Sequence, residues 1–387
     1  MDDLAAAKQF VDTTKIDRWL ATAEPATPFV VIDLDLVRAQ HRALAAAMPF
    51  AEIFYAVKAN PASEVIATLG RLGVGFDLAS EGEIDRCLAL GIPAASFSFG
   101  NTVKRESDIA RAHAHGVRLF AFDSLGELDK LARAAPGAGV FCRLAVPAGG
   151  AEWPLTRKFG CHPEMAGHLL LQARERGLKP TGVSFHVGSQ QGAPETWRPA
   201  IDMAAGVFCA CARRGLALEL LNLGGGLPAH YRASVLPLAR YAEVIETALR
   251  ESFGHSRPRT IIEPGRYMVG DAGLLRSRVL LIAEKSAHAR RRWVYLDAGR
   301  YNGLPETLDE RIHYRLRTSH DHDACGPVIL AGPTCDSTDI LYEKSSYELP
   351  LGLVIGDTVD FLSAGAYTAS YASVEFNGFA PIRTYCI

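Results

Sequence analysis

Phe54-Tyr55-Ala56-Val57-Lys58-Ala59-Asn60-Pro61 sets one lysine at the end of an apolar, small-residue run. Ala51 to Val57 reads as a short buried strand, and Asn60-Pro61 is a turn signal. Lysine is rarely fully buried without a partner. Two readings stand open here: the side chain snorkels out of the strand end, or it forms a Schiff base with an aldehyde cofactor. Working outward, short apolar strands alternate with amphipathic helical stretches from about residue 34 to 271. The strands are expected at Ile53–Val57, Gly75–Leu78, Ala95–Phe99, Leu119–Phe122, Val140–Leu144, Gly182–His186, Leu220–Leu223 and Thr260–Glu263. Helices are expected between them, among them Glu81–Leu90, Val103–His115 and Pro194–Arg213. Repeated βα units with continuous apolar strands mean a parallel sheet covered on both faces. Eight such strands fit an α/β protein built on a closed (β/α)8, TIM-like barrel; an open doubly wound sheet is the alternative.

The texture changes after Asp271. Ser277–Glu284, Trp293–Asp297, Pro327–Ala331 and Thr358–Leu362 read as strands with few helices between them, which predicts a mainly β carboxyl-terminal domain. The early run Phe29–Leu34 is strand-like and is expected to pair with it. The division is therefore a barrel over 34–271 and a β-rich domain from 1–33 and 272–387. His313–Gly326 reads as an unstructured loop.

At 387 residues the chain is too long for one small core. With 48% hydrophobic and 22% charged residues and a net charge of -2, nothing points to nucleic acid or a membrane surface as partner. Met1-Asp2-Asp3-Leu4 lacks the features of a secretory signal, and a cytoplasmic enzyme is the expectation. The eight cysteines form no CxxC pair, which fits reduced thiols. Cys209 and Cys211, two apart on a helix, point in different directions. The cluster His320-Asp321-His322-Asp323 reads as a solvated loop, and no metal is expected.

The polar residues gather at strand ends: Lys58, Asp77, His186, Gly224-Gly225-Gly226 and Glu263. In a barrel that face carries the active site. A glycine triplet lets backbone N–H groups approach phosphate oxygens, and Arg266, after Gly265, supplies a guanidinium for the same anion. Glu263 can hold a proton on a pyridine nitrogen and so deepen the electron sink of pyridoxal 5'-phosphate. His186 can stack on the ring. A plain salt bridge between Glu263 and Arg266 is the alternative.

Seven motifs in order from about residue 28 to the end then carry a specific resemblance. They are Tyr55-Ala56-Val57-Lys58-Ala59-Asn60, Gly75-Phe76-Asp77-Leu78-Ala79-Ser80, Ser184-Phe185-His186-Val187-Gly188-Ser189, Gly224-Gly225-Gly226, Glu263-Pro264-Gly265-Arg266-Tyr267, Gly332-Pro333-Thr334-Cys335-Asp336 and Gly365-Ala366-Tyr367. The chain resembles the fold-type III pyridoxal-phosphate amino-acid decarboxylases, and most of all the bacterial ornithine decarboxylases. This implies an alanine racemase-like barrel with an added β domain, acting on a small-molecule amino acid. It implies that Lys58 carries the cofactor, Glu263 pairs with its pyridine nitrogen and His186 stacks on it. Ser189, Gly224 to Gly226, Gly265, Arg266 and Tyr367 would hold the phosphate. Asp77, Glu83 and Arg143 would line the pocket. Cys335 would give a proton to the substrate carbon, and Asp336 would meet the distal amine, both from the neighbouring subunit of a homodimer.

Substrate choice is where the match loosens. Eukaryotic members place a Tyr-Asp pair after the Tyr301 region, and here Asp309-Glu310 stands in its place. Glu310, with Tyr301, is thus a candidate for substrate binding, a solvated acidic helix start being the alternative. Ornithine and lysine are both expected, since one methylene discriminates by only about 1–3 kcal/mol. Diaminopimelate fits less well, because its distal carboxylate asks for an arginine. Arginine decarboxylases of this fold are expected to be longer. A racemase, or a catalytically silent homologue that sequesters a regulator, completes the alternatives. A racemase would set an arginine where Glu263 stands.

Overall fold

The computed structural model describes residues 12–147, 149–153 and 158–387. The stretch Met1-Asp2-Asp3-Leu4 lies outside them. The chain divides into two compact units. One comprises Arg38–Pro228 and Val235–Met268; the other takes in the chain up to Val37, Ala229–Ser234 and Val269–Ile387.

In the first unit eight parallel strands close into a barrel: Glu52–Ala56, Gly75–Leu78, Phe97–Phe99, Leu119–Phe122, Gly139–Arg143, Lys179–Ser184, Leu220–Asn222 and Arg259–Ile262. Closure is made where Arg259–Ile262 pairs with Glu52–Ala56 and where Leu220–Asn222 pairs with Lys179–Ser184. This settles the choice between barrel and open sheet. A cluster of Phe54, Ala121, Phe141, Leu220 and Ile261, one residue from each of five strands, forms one core of this unit. Mixing bulky with small side chains lets such a layer fill without voids. On Glu81–Ala89 the Ser80 hydroxyl accepts the Glu83 N–H at 3.3 Å, and on Leu125–Ala134 Ser124 does the same for Glu127 at 3.4 Å. Both follow the Ser-x-x-Glu pattern that starts helices.

Three expectations shift here. The helix expected over Val103–His115 begins only at Glu106, because Lys104 is drawn inside to Glu127 (2.9 Å) and to the carbonyls of Asn101 and Ala121. The helix expected over Pro194–Arg213 is a short 3-10 turn, Pro194–Thr196, followed by Trp197–Ala212. The strand expected over Gly182–His186 ends at Ser184, so His186 stands in the loop beyond it.

The second unit is mainly β. Its spine is the long strand Gly273–Ala283, antiparallel to Thr358–Leu362 along one stretch and to Arg292–Leu296 along another. Phe29–Ile32 pairs with it in register Phe29↔Arg276 to Ile32↔Gly273, and lies parallel to Arg383–Cys386 on its other side. The early strand therefore does join the carboxyl-terminal sheet. Two corrections follow. Ile340–Pro350, which sequence pattern did not single out, is an eleven-residue strand on Cys325–Ala331. His313–Gly326 is not one loop: Tyr314 and Arg315 are buried and Leu316–Thr318 pairs with Thr358–Leu362, leaving only the turn beyond Thr318 irregular.

Candidate active site

The barrel unit brings its expected residues together at the carboxyl ends of its strands. Strand Glu52–Ala56 runs into a 3-10 turn, Val57–Ala59, which carries Lys58 past the strand end. Asn60 holds that turn: its carbonyl accepts the Tyr55 hydroxyl at 2.9 Å and its side chain accepts the Ala62 N–H at 3.1 Å. The Lys58 side chain is 48% exposed, and its Nζ lies 3.0 Å from Asp77 Oδ2. It is neither buried nor free in solvent. Asp77 itself is 4% exposed, and its Oδ1 has no partner among the described residues. The room for that carboxylate comes from Gly100, where a Cβ would sit 1.9 Å from Asp77 Oδ1.

Glu263 follows Arg259–Ile262 and is partly buried. Burial, and then the charge of Asp77, push its carboxyl up to about 8, against the opposing pull of Lys58, Asn222 and Arg143. Asn222 Nδ2 donates to it at 2.5 Å, while Asn222 Oδ1 accepts the Gly224 N–H at 2.8 Å. Asn222 is wholly buried and escaped the sequence reading; its signal was a lone amide in the apolar run Leu220-Leu221-Asn222-Leu223. Arg143 lies within electrostatic reach of Glu263 and Asp77, and burial lowers its affinity for its proton.

His186 is held neutral, well below the usual histidine range, first by burial and then by the charges of Arg143 and Lys58. Its Nδ1 accepts the Gly188 N–H at 3.0 Å, which puts the ring proton on Nε2. A Cβ on Gly225 would stand 3.2 Å from that Nε2 and 2.7 Å from the Glu263 carbonyl. Gly224 has φ +65, and its Cβ would meet the Phe185 carbonyl at 2.1 Å. Only glycine passes here. The N–H groups of Gly225 and Gly226 find no acceptor among the described residues. Arg266 turns its guanidinium onto Ser189 Oγ, Nε at 3.3 Å and Nη2 at 3.2 Å. Glu83 differs from the other carboxylates: its Oε2 accepts the Ala79 N–H at 2.7 Å, closing the cap of its own helix. Burial raises its carboxyl.

In the β unit, Cys335 is exposed and Asp336 partly exposed. The Cys335 N–H donates to Asn377 at 2.9 Å; Asp336 accepts from the Thr338 N–H at 2.7 Å and its hydroxyl at 2.6 Å. Those bonds hold the Asp336 carboxyl below the usual carboxylate range. Tyr301 reaches the same Thr338 hydroxyl at 2.8 Å. Tyr367 stands at φ +55, a conformation that L-residues other than Asn and Asp seldom take.

Glu310 is placed otherwise than expected. Pro305–Glu310 is a kinked 3-10 segment, with Asp309 at φ +53 and Glu310 at φ +56, and not a helix start. The Glu310 carboxylate accepts the N–H groups of Glu343 (2.8 Å), Lys344 (2.7 Å) and Ser345 (2.7 Å), and the Ser345 hydroxyl at 2.5 Å. Burial opposes ionisation, but these donors hold the carboxyl below its ordinary value. Four donors fill the lone-pair directions of a carboxylate. Glu310→Gln sets an amide N–H against those donors and is expected to cost about 2 kcal/mol. A thermal melt reads that loss, with the ratio of rates on competing amino acids unchanged. Because this carboxyl is lowered, its contribution holds above the ordinary pKa of 4.5 and is lost as pH falls through the folded value.

A closed barrel with a strand-end lysine on a buried carboxylate, a second carboxyl held near neutrality and a glycine cradle with an arginine is the pattern of enzymes that hold a phosphate-bearing aldehyde cofactor. The chain belongs to the pyridoxal-dependent decarboxylases: the model of their pyridoxal-binding domain matches residues 34–270. It is 35% identical over 373 residues to a lysine/ornithine decarboxylase of Selenomonas ruminantium, covering 96% of this chain and 92% of that one. The structure of a lysine/ornithine decarboxylase from Vibrio vulnificus complexed with cadaverine superposes with a TM-score of 0.87 at 32% identity, over 98% of this chain and 99% of that one. The arginine decarboxylase of Paramecium bursaria Chlorella virus superposes with a TM-score of 0.88 at 27% identity, over 97% of this chain and all of the other. Chain length therefore does not set arginine decarboxylases apart, contrary to expectation. The enzyme is a pyridoxal-phosphate-dependent carboxy-lyase. No described helix is long and apolar enough to cross a membrane.

Proposed function

We propose that the enzyme decarboxylates L-ornithine to putrescine, and L-lysine to cadaverine, as a cytoplasmic homodimer serving polyamine synthesis. The observation that carries the reading is the pairing of Lys58 Nζ with the buried Asp77, in electrostatic reach of Glu263, in a chain whose full-length relatives are named ornithine and lysine/ornithine decarboxylases. Pyridoxal phosphate, when bound, supplies the electron sink that takes up the charge left as CO2 departs.

The chain's own residues divide the remaining work. The N–H groups of Gly225 and Gly226, with Arg266, Ser189 and Gly265, would bind the phosphate. Glu263, held in place by Asn222, would keep a proton on the cofactor's pyridine nitrogen. His186, neutral and pinned by Gly188, would pack on the ring without adding a charge that opposes that proton. Arg143 offsets the charges of Asp77 and Glu263, and Glu83 fixes the turn that follows Asp77. Lys58 Nζ would hold the cofactor aldehyde and, beside Asp77, would exchange protons with the substrate amine.

Cys335 and Asp336 of one copy serve the barrel site of the other in this reading. Their exposure on the β unit supports it. The Cys335 thiol delivers the proton to Cα after CO2 loss, and the Asp336 carboxylate binds the distal ammonium. Tyr301 and Thr338 keep Asp336 oriented and ionised. A simple distal cation is the substrate end these groups accept, since Glu310 is committed to Glu343–Ser345.

CO2 release from cofactor-loaded protein, with L-ornithine, L-lysine, L-arginine and meso-diaminopimelate in parallel, tests the reading. Turnover is expected on the first two. Asp336→Asn is expected to raise KM for both by roughly 10–100-fold, the scale of losing a charge-assisted bond. Turnover confined to arginine or diaminopimelate, or racemisation without CO2, overturns it.

A further inference from the structure

The barrel carries a second pair of reactive side chains, one residue away from the site. Cys142 is the penultimate residue of Gly139–Arg143 and is wholly buried. Cys161 lies on the returning segment, half buried, and its Sγ stands 3.6 Å from that of Cys142. The approach is built into the backbone. The Cys161 N–H donates to the Arg143 carbonyl at 3.0 Å, and the Ala145 N–H donates to the Cys161 carbonyl at 2.9 Å, so Cys161 forms a parallel bridge with Leu144. The Gly160 N–H is held by Asp123 at 2.8 Å. At Gly160, φ is +87, and a Cβ would lie 2.6 Å from the backbone of Leu144 and Ala145. Only glycine lets the segment lie this close. Cys161 is thus pinned on both sides of its peptide with its sulfur against Cys142.

We propose that Cys142 and Cys161 are an oxidation site, a dithiol that closes to an intramolecular disulfide under a low-molecular-weight disulfide and thereby slows the enzyme through Arg143. The sulfur of Cys161, the accessible one, attacks one sulfur of the reagent and expels a thiolate. The sulfur of Cys142 gives up its proton and attacks Cys161, expelling the second. One protein S–S bond and two free reagent thiols replace two protein S–H bonds and one reagent S–S bond, and two electrons pass from protein to reagent. The hydrogen bond from Cys142 favours the Cys161 thiolate, while burial pushes the Cys142 thiol up, in keeping with that order of attack. Closing brings the sulfurs from 3.6 Å to about 2.05 Å. Arg143 sits between Cys142 and the Leu144 bridge, and its carbonyl is the acceptor for Cys161, so the displacement falls on its backbone.

The link to activity rests on the proposed place of Arg143 beside Glu263 and Asp77; the disulfide itself does not. Reduced holoenzyme and its Cys161→Ser variant are treated with oxidised glutathione, then alkylated and mapped without reduction. Wild type is expected to give a linked Cys142–Cys161 peptide and to lose roughly tenfold to a hundredfold in kcat, the scale of a misplacement near 1 Å. Dithiothreitol restores it. Cys161→Ser is expected to start with normal activity and keep it, which separates this site from oxidation of the exposed Cys335. Cys161→Ala repeats the arm should the serine variant fail to fold. Both thiols remaining alkylatable while other cysteines oxidise overturns the site. A linked peptide with unchanged kcat, or equal losses in wild type and variant, overturns the coupling to Arg143. Should the enzyme turn over no basic amino acid, the peptide map and the cofactor's absorption band still read the disulfide, so the two failures are distinct.

Discussion

Lys58→Ala is expected to cut kcat for ornithine by at least about 10⁴-fold, roughly 5.5 kcal/mol of transition-state stabilisation. Lys58 is the lysine that the strand end sets against Asp77. Its Nζ is the amine beside Asp77, 3.0 Å away, and the 3-10 turn Val57–Ala59 that carries it is held by Asn60 and not by the lysine. Truncation should therefore leave the fold intact. It removes the amine that holds the cofactor aldehyde and the group that relays protons to the substrate nitrogen. The variant is expected to keep the wild-type melting temperature without cofactor, to bind pyridoxal phosphate more weakly and to lack the absorption band of a lysine-bound aldehyde. Single-turnover CO2 release beside that spectrum checks the result. Retention of more than a tenth of wild-type kcat would remove Lys58 from the mechanism.

Glu263→Gln is expected to lower kcat by roughly 10²–10³-fold, because an amide cannot hold the pyridine nitrogen protonated. The same substitution is expected to stabilise the cofactor-free protein, and that effect carries a pH signature. Folding raises this carboxyl from 4.5 to about 8. The folded state then binds a proton that the unfolded state has released, so stability is fully present below the unfolded value and falls as pH rises through the folded one. Glutamine imitates the neutral acid at every pH. Variant and wild type should melt alike near pH 5, with the variant ahead at pH 8. Pyridoxal phosphate should reverse that order, since only the carboxylate gains from a cationic N–H. Parallel melting curves from pH 5 to pH 8 would show that the Glu263 environment does not favour the neutral acid.

Much of the site is legible in the chain because strand-end positions carry their own punctuation. Lys58, Asp77, His186, Gly224 to Gly226 and Glu263 each interrupt or follow an apolar run, and the barrel places all of them on one rim. Asn222 and Gly100 went unread for the opposite reason. Each makes sense only through a partner distant in sequence: Glu263 for the amide, and Asp77 for the glycine whose missing Cβ admits it. The contact between Cys142 and Cys161 was invisible for the same reason, 19 residues apart with no spacing rule to join them.

In the β unit local pattern misleads more often. Ile340–Pro350 is studded with charged and polar residues and reads as surface, but Leu341, Tyr342, Tyr347 and Leu349 are buried in the strand that pairs with Cys325–Ala331. Glu310 is the clearest case. An acid beside Asp309 looks available to a cationic ligand, and four donors from Glu343 to Ser345 take it up.

Sequence alone, then, determined what depends on periodicity and residue type: the βα alternation, the β texture after Asp271, and which side chains have the chemistry for an aldehyde cofactor. Apolar spacing and strand-end punctuation are local, and a chain displays them before it folds. Tertiary structure alone decided that the barrel closes, that Glu310 is satisfied within its own unit, that Asn222 orients Glu263, and that two distant thiols touch. Closure, hydrogen-bond satisfaction and burial are properties of pairs brought together by the fold, and no single stretch of sequence carries them.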